Sequence, residues 1–164
     1  MGLLHQYAAD VVWTGAGEAG TAGYRAYSRD HEIRIVGKPT IAGSADPAFR
    51  GDPARHNPEE LLVAALAECH MLWFLHFAAT SGVVVGYTDR ATGTMRVEAA
   101  GHGQFTEVTL RPQVVVRSAQ APDLDARLAA LHHRAREHCF ISRSVNFPVL
   151  TELAPVVVED AVRR

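Results

Sequence analysis

The sequence predicts an α+β fold, because two helical patterns are set among segments with strand character. Apolar residues occur nearly all round a helix from Asn57 to about Thr80, and a second helical pattern runs from about Ala121 to Cys139. Segments rich in β-branched and aromatic residues precede, separate and follow these helices. The 164 residues contain no repeat or low-complexity tract, so we predict a single domain over residues 1–164.

The region before the first helix is predicted to contain strands and a long loop. Residues 5–15 (HQYAADVVWTG) and 22–37 (AGYRAYSRDHEIRIVG) alternate partially between polar and apolar side chains, as strands of an opening meander do. Residues 38–56 hold three prolines and two glycines, which favours a loop. A loop of that length in a compact domain is often functional.

The first helix has a strong start signal in the segment HNPEELL. Asn57 is a good N-cap, Pro58 suits the first helical position, and Glu60 occupies the capping-box position three residues after the cap. We expect this helix to end near Gly82 and, because it is apolar nearly all round, to lie at the centre of the protein.

The rest of the chain is predicted to be two long strands, a helix and a final strand. Residues 83–101 and 105–118 are each expected to form one strand, and residues 152–159 the last one, after a short turn at ISRS. In the helix between them, Leu124, Leu128, Leu131, Ala135 and Cys139 follow helical spacing, which places Cys139 on the apolar face.

The overall composition excludes several classes of partner. A net charge of −2 without a basic run argues against binding nucleic acid or an acidic membrane surface. The apolar run from Leu61 to Ala79 is as long as a membrane span, but Glu68, His70 and His76 interrupt it, so we expect a buried helix of a soluble protein. The N-terminus shows no secretory signal pattern, and we expect a cytoplasmic protein.

Neither a cofactor nor a metal is expected. GAGEAG at residues 15–20 matches the dinucleotide-binding string, yet a strand pattern rather than a helix follows it, so a Gly-rich hairpin loop is the better interpretation. The nine histidines lack the spacing of a metal site and are expected to be scattered over the surface or around a site.

The two cysteines leave several interpretations open. Free cysteine is often simply a small buried residue, but both are predicted on buried helix faces with polar neighbours in sequence. A pair brought together in this way is consistent with a redox enzyme or with a redox-sensing or binding protein that reacts only stoichiometrically. A Cys–His acyl-transfer enzyme using His70 or His138 is a further alternative, and purely structural cysteines are another.

Two segments resemble the signatures of the OsmC/Ohr family of thiol-dependent hydroperoxide reductases: HNPEELLVAALAEC at 56–69 and HCFISRSV at 138–145. The resemblance implies an OsmC-like fold, with an antiparallel sheet and two central helices that carry the cysteines, in an intertwined homodimer. It also implies that Cys69 reduces small organic hydroperoxides through a sulfenic acid, and that Cys139 resolves it to a disulfide, which a dithiol reductant of the lipoyl type recycles. Phe140 departs from the family pattern, in which proline usually follows the second cysteine.

In that family an arginine held by the glutamate of the N-P-E segment activates the thiol. Here the glutamate is Glu59; Arg29 best matches the arginine, Arg50 is the second candidate, and Arg55 is expected to be solvated. Ten residues of α-helix place Glu59 about 15 Å from Cys69 along the axis. We therefore expect Glu59 and its arginine to serve the Cys69 of a second copy, with the sites at a homodimer interface.

Overall fold

The computed structural model describes residues 2–79, 84–117 and 123–159, and the chain divides into two compact units, one up to Leu62 and one from Val63 onward. Within the described residues there are nine β-strands, two α-helices and two short 3₁₀ helices. The strands are β1 (Asp10–Trp13), β2 (His31–Arg34), β3 (Ile41–Gly43), β4 (Val84–Asp89), β5 (Thr92–Val97), β6 (Gly103–Leu110), β7 (Pro112–Val116), β8 (Val149–Thr151) and β9 (Val157–Val158). The helices are α1 (Pro58–Ala78) and α2 (Leu124–His138), with 3₁₀ helices at Pro47–Phe49 and Ser142–Ser144. The single domain over residues 1–164 stays a prediction.

The first unit contains a three-stranded antiparallel sheet in the order β1-β2-β3. Its strands are shorter than the segments that predicted them, and the predicted loop over residues 38–56 includes β3 and a 3₁₀ helix. The side chain of Asp46 caps that 3₁₀ helix by accepting a hydrogen bond from the backbone N–H of Ala48 at 2.7 Å. The GAGEAG segment is not helical, with positive φ at Gly17 and Gly20, as a turn requires.

The start of α1 is confirmed. The backbone N–H of Glu60 donates to Oδ1 of Asn57 at 2.8 Å, and the backbone N–H of Asn57 donates to Oε2 of Glu60 at 3.3 Å. This reciprocal pair is the capping box that the sequence predicted. The helix extends to Ala78, and the predicted stop near Gly82 lies outside the described residues.

The second unit contains two three-stranded sheets, ordered β4-β7-β9 and β5-β6-β8. Both are mixed, because β9 pairs with β7 and β8 pairs with β6 in parallel, whereas the other pairs are antiparallel. The expectation of a wholly antiparallel sheet is corrected on this point. The physical reason is that β8 and β9 follow α2, and a long connection that crosses over allows a strand to return parallel to its neighbour.

The two long strands predicted over residues 83–101 and 105–118 are also corrected, because each is two strands that belong to different sheets. The second one breaks at Arg111, whose backbone N–H donates to Oδ1 of Asp89 at 2.7 Å instead of continuing a ladder. Pro112, which has no N–H to donate, then begins β7.

The core of the second unit lies along one stripe of α1. Phe74 and Ala78 pack with Val114, Val116, Leu128 and Ala135. The expectation that α1 is buried all round is not met within one chain, since its buried residues are only Leu66, His70, Phe74 and Ala78, and Leu72 is 55% exposed. By length and composition α1 could also cross a membrane, but central helices of soluble proteins meet the same criterion.

Candidate thiol site

Cys69 and Cys139 are brought together in the second unit. Cys69 lies in α1, and Cys139 is the residue immediately after α2, where the backbone has turned to an extended conformation. The Cys69 side chain lies close enough to Cys139 to raise the pKa of its thiol, and both cysteines are free thiols. The sequence placed Cys139 inside the second helix, whereas the structure places it just past the last turn.

The two thiols have different environments. Cys139 is buried, and Cys69 is partly exposed. Burial, followed by the hydrogen bond to Cys69, raises the pKa of Cys139 to about 11, although the backbone N–H of Ser142 donates to its sulfur at 3.3 Å and acts in the opposite direction. Cys139 is therefore held as the protonated partner, and Cys69 is the sulfur that a solute reaches first.

An aromatic cluster of four side chains, Trp73, Phe77, His138 and Phe140, flanks the thiols. Trp73 follows Cys69 by one helical turn, and its ring lies 5.2 Å from that of His138 and 5.4 Å from that of Phe140, the latter edge-on. Phe77 lies 5.1 Å from the ring of His138. Phe140, the residue that departs from the family pattern, thus adds an apolar ring beside Cys139 and remains 66% exposed.

Two buried histidines join α1 and α2, the helices that lead to the thiols. Nε2 of His70 is 3.0 Å from Nδ1 of His132, and the two rings are nearly parallel, with a 4° angle between their planes. His132 also stacks on Phe74, with 4.1 Å between ring centroids. Burial lowers the pKa of both histidines to about 4, helped by the charge of Arg136 for His70 and by His70 for His132. Both rings are therefore neutral near pH 7, and one donates to the other.

Sequence reasoning missed this pair, because it expected the histidines to be scattered over the surface or around a site. The signal was present in the spacing: His70 falls on the stripe with Leu66 and Phe74, and His132 lies one turn after Leu128. The spacing within each helix does not show which residues of the two helices pair with each other, because that depends on how the helices pack.

Arg29 and Glu59 line one cavity of about 440 Å³ in the first unit. The cavity walls are Trp13, Thr21, Tyr27, Arg29, His31, Ser44, Ala45, Asp46, Phe49, Pro58 and Glu59. Arg50 is absent from the lining; it is exposed, at φ 67° at the end of a 3₁₀ helix. Of the two candidate arginines, Arg29 is thus the one that shares this cavity with Glu59.

Arg29 is held by its own loop. Its guanidinium donates to the backbone carbonyls of Tyr27 at 2.9 Å and Tyr24 at 3.0 Å, and it lies over both tyrosine rings. Glu59 makes no hydrogen bond or ion pair with any residue that the structure describes. Arg55, expected to be solvated, is half-buried, within 3.6 Å of Asp30 and 3.5 Å of Asp52.

No group of three or more histidine, cysteine or acidic side chains within residues 2–79, 84–117 and 123–159 is arranged to hold a metal ion. The His70–His132 pair satisfies itself by its own hydrogen bond.

The family described as OsmC-like protein matches residues 51–154 of this chain. The chain belongs to the OsmC-like family. An OsmC-like protein of unknown function from Vibrio cholerae is 39% identical, with a TM-score of 0.80, and the match covers 92% of this chain and 100% of that one. The match to the family spans Glu59, Cys69 and Cys139 but not Arg29 or Arg50.

More distant solved structures share the OsmC-like α+β fold. An organic hydroperoxide resistance protein OsmC from Legionella pneumophila is 17% identical with a TM-score of 0.65, covering 96% of this chain and 100% of that one. The organic hydroperoxide resistance protein OhrB of Bacillus subtilis is 20% identical with a TM-score of 0.57, covering 90% of this chain and 98% of that one. No curated protein matches the sequence.

Proposed function

We propose that this OsmC-like protein is a thiol-dependent peroxidase that reduces organic hydroperoxides to alcohols. The observation that carries the proposal is that Cys69, within α1, and Cys139, just after α2, are close enough for the Cys69 side chain to raise the pKa of Cys139. Support also comes from the family, since structures with this fold include proteins named for organic hydroperoxide resistance.

The environments of the two thiols assign their roles. Cys69 is the accessible sulfur and attacks the peroxide: Cys69–SH + ROOH gives Cys69–SOH + ROH. Cys139, buried and in contact with it, then condenses: Cys69–SOH + Cys139–SH gives the disulfide + H₂O. A dithiol reductant of the lipoyl type restores both thiols by exchange and becomes a disulfide itself.

The apolar surroundings favour organic peroxides. Trp73 and Phe140 present aromatic surface beside the thiol pair, and Phe140 is largely exposed. Such a surface gains free energy by covering the hydrocarbon part of ROOH, which hydrogen peroxide lacks.

In the same proposal, Glu59 and Arg29 form the pair that activates the thiol of Cys69. A guanidinium near a thiolate lowers its pKa by about 1–3 units. Because ten helical residues separate Glu59 from Cys69, we propose that each pair acts on the Cys69 of the partner in a homodimer.

The homodimer would also cover apolar surface of α1. Leu72 and Leu75 are exposed on this helix in a single chain, and a second copy would bury them. A reducing cytoplasm, the location we propose, would keep the dithiol cycle running.

Turnover tests the reaction. Purified protein is given cumene hydroperoxide and dihydrolipoamide, and peroxide loss is compared for the wild type, Cys69→Ser and Cys139→Ser. We expect turnover only in the wild type, together with a Cys69–Cys139 disulfide seen by mass spectrometry. Oxidation of one equivalent without turnover would instead favour a stoichiometric redox sensor, and full activity in Cys69→Ser would contradict both.

Mixed dimers test the shared site. Neither Cys69→Ser nor Glu59→Gln is expected to turn over alone. If Cys69 and Glu59 of one site come from different chains, a mixed dimer has one site in which both are intact and one in which both are replaced. About half of the dimers are mixed after subunit exchange at equal amounts, so about a quarter of wild-type activity should return. No recovery in dimers shown to have exchanged would contradict a shared site, and an active monomer in sedimentation would contradict the dimer.

A further inference from the structure

The His70–His132 pair is a polar link between the elements that hold the thiols. His70 directly follows Cys69 in α1, and His132 lies on α2 seven residues, about two turns, before Cys139. His70 is 1% exposed and His132 is 5% exposed, so both rings belong to the interior of the second unit. The reaction proposed above gives these two side chains no role.

We propose that the hydrogen bond between His70 and His132 is a positioning device, which holds α1 against α2 so that Cys69 and Cys139 stay within bonding reach. The inference rests on the proposed function, because it concerns the disulfide that the two cysteines form. The histidines act through the helices that carry them and do not touch the reacting sulfurs in the contacts that the structure describes.

A disulfide makes strict demands on the spacing of the two elements. It requires Cα atoms about 4.4–6.8 Å apart and a defined torsion about the S–S bond. Thiols are weak hydrogen-bond donors and acceptors, so two neighbouring thiols do not by themselves keep their elements at that spacing. Something stronger must stop α1 from sliding or turning on α2.

The contacts around the histidines are the directional ones. Phe74, Leu128 and Ala135 pack through apolar surface, which tolerates small shifts. The ring of His132, in contrast, is fixed by a 3.0 Å hydrogen bond to His70. It also stacks on Phe74, one turn further along α1, with an angle of 15° between the two ring planes. Rotating α1 or shifting it along its axis breaks both contacts at once.

Burial makes the hydrogen bond between His70 and His132 costly to break. When one partner of a buried hydrogen bond is removed, the other keeps an unpaired polar atom, at a cost of about 1–3 kcal/mol. The helices then shift to reduce that cost, and the spacing of the cysteines shifts with them. Because both rings stay neutral near pH 7, the hydrogen bond is present where the protein works.

The chain provides a matched control. His133 is the neighbour of His132 on α2, but it is exposed and lies 3.7 Å from Glu137 of its own helix. Replacing His133 thus removes an imidazole from the same helix without touching the link between α1 and α2.

The test measures the equilibrium constant of the Cys69–Cys139 disulfide against dithiothreitol, which needs no peroxide and no turnover. We expect His132→Leu to weaken the protein disulfide by about 5–100-fold. His133→Leu should leave the constant unchanged. His132→Asn should recover most of it, since an asparagine amide places a polar atom at the position of Nδ1.

A double variant separates positioning from stability. Replacing both histidines, as in His70→Leu/His132→Leu, leaves no unpaired polar atom and should recover most of the free energy of unfolding, while the disulfide stays weak. Equal disulfide constants in the wild type, His132→Leu and the double variant would overturn the inference alone. A wild type that forms no Cys69–Cys139 disulfide with oxidised dithiothreitol would overturn the proposed function and the inference with it.

Discussion

Cys139 and Cys69 lie close together, yet only Cys69 reaches the surface. The buried thiol has its pKa raised to about 11, first by burial and then by the contact with Cys69. This asymmetry distinguishes two neighbouring sulfurs: the thiol proposed to attack the peroxide is accessible, and the thiol proposed to resolve it is buried and protonated.

Alkylation measures the asymmetry directly. At pH 8 we expect iodoacetamide to modify Cys69 first, because a thiol with a pKa near 11 is ionised in only about one molecule in a thousand. Peptide mass spectrometry after short exposure reports each site. Cys139→Ser serves as the control in which only Cys69 can react, and faster labelling of Cys139 in the folded wild type would contradict the prediction.

The parts that were predictable from sequence depend on neighbours in the chain. The N-terminus of α1 could be located because Asn57, Pro58 and Glu60 act within one turn of helix. The break at Arg111 carried a local signal too, the proline that follows it, but the long β-branched run on either side hid it.

The parts that were not predictable depend on partners distant in sequence. The parallel return of β8 to β6 and the pairing of His70 with His132 join residues about 40 and 60 positions apart, and no local pattern encodes which segments meet. Two cysteines on apolar faces indicated that they could meet. That they do lie close together, and that only one of them is accessible, became clear only from the packing.

Arg29 and Glu59 lead to a prediction about catalysis, because they line one cavity that Arg50 does not line. We expect Arg29→Ala to lower kcat/KM for cumene hydroperoxide at pH 7 by about 10-fold, since an adjacent cation favours the thiolate and an unperturbed thiol is still ionised to a few per cent at that pH. Steady-state kinetics with dihydrolipoamide measure this.

The matched substitution is Arg50→Ala, which should leave kcat/KM within about twofold of the wild type, as is usual for surface changes. A large loss in Arg50→Ala with little loss in Arg29→Ala would reverse the assignment. Circular dichroism of each variant checks that the loop around Tyr24 and Tyr27 has not lost its fold together with the guanidinium.

The capping box of α1 makes a stability prediction that is independent of the chemistry. Asn57→Ala removes the acceptor for the backbone N–H of Glu60 and should lower the free energy of unfolding by about 1 kcal/mol. Urea unfolding followed by circular dichroism measures this change.

Asn57→Asp keeps a side-chain acceptor at the cap, and Glu60→Gln keeps the reciprocal contact, so both should stay close to the wild type. If Asn57→Ala and Asn57→Asp unfold at the same urea concentration, the cap hydrogen bond does not stabilise α1.

Acid should destabilise the protein through His70 and His132. Each has a pKa of about 4 in the folded chain, against 6.5 for an unperturbed histidine, so below pH 6.5 the unfolded chain binds more protons. The stability that neutral rings contribute is complete above pH 6.5 and is lost as the pH falls towards 4. For the pair we expect a loss on the order of 5 kcal/mol between pH 7 and pH 4.5.

The change that isolates this effect is His70→Gln/His132→Asn, which keeps a hydrogen bond between neutral side chains and removes the titration. Urea unfolding at pH 7 and pH 4.5 should show a smaller drop in the double variant than in the wild type. His133→Asn, at an exposed position beside Glu137, should keep the full wild-type drop. An equal drop in all three proteins would mean that the acid sensitivity arises from groups other than this buried pair.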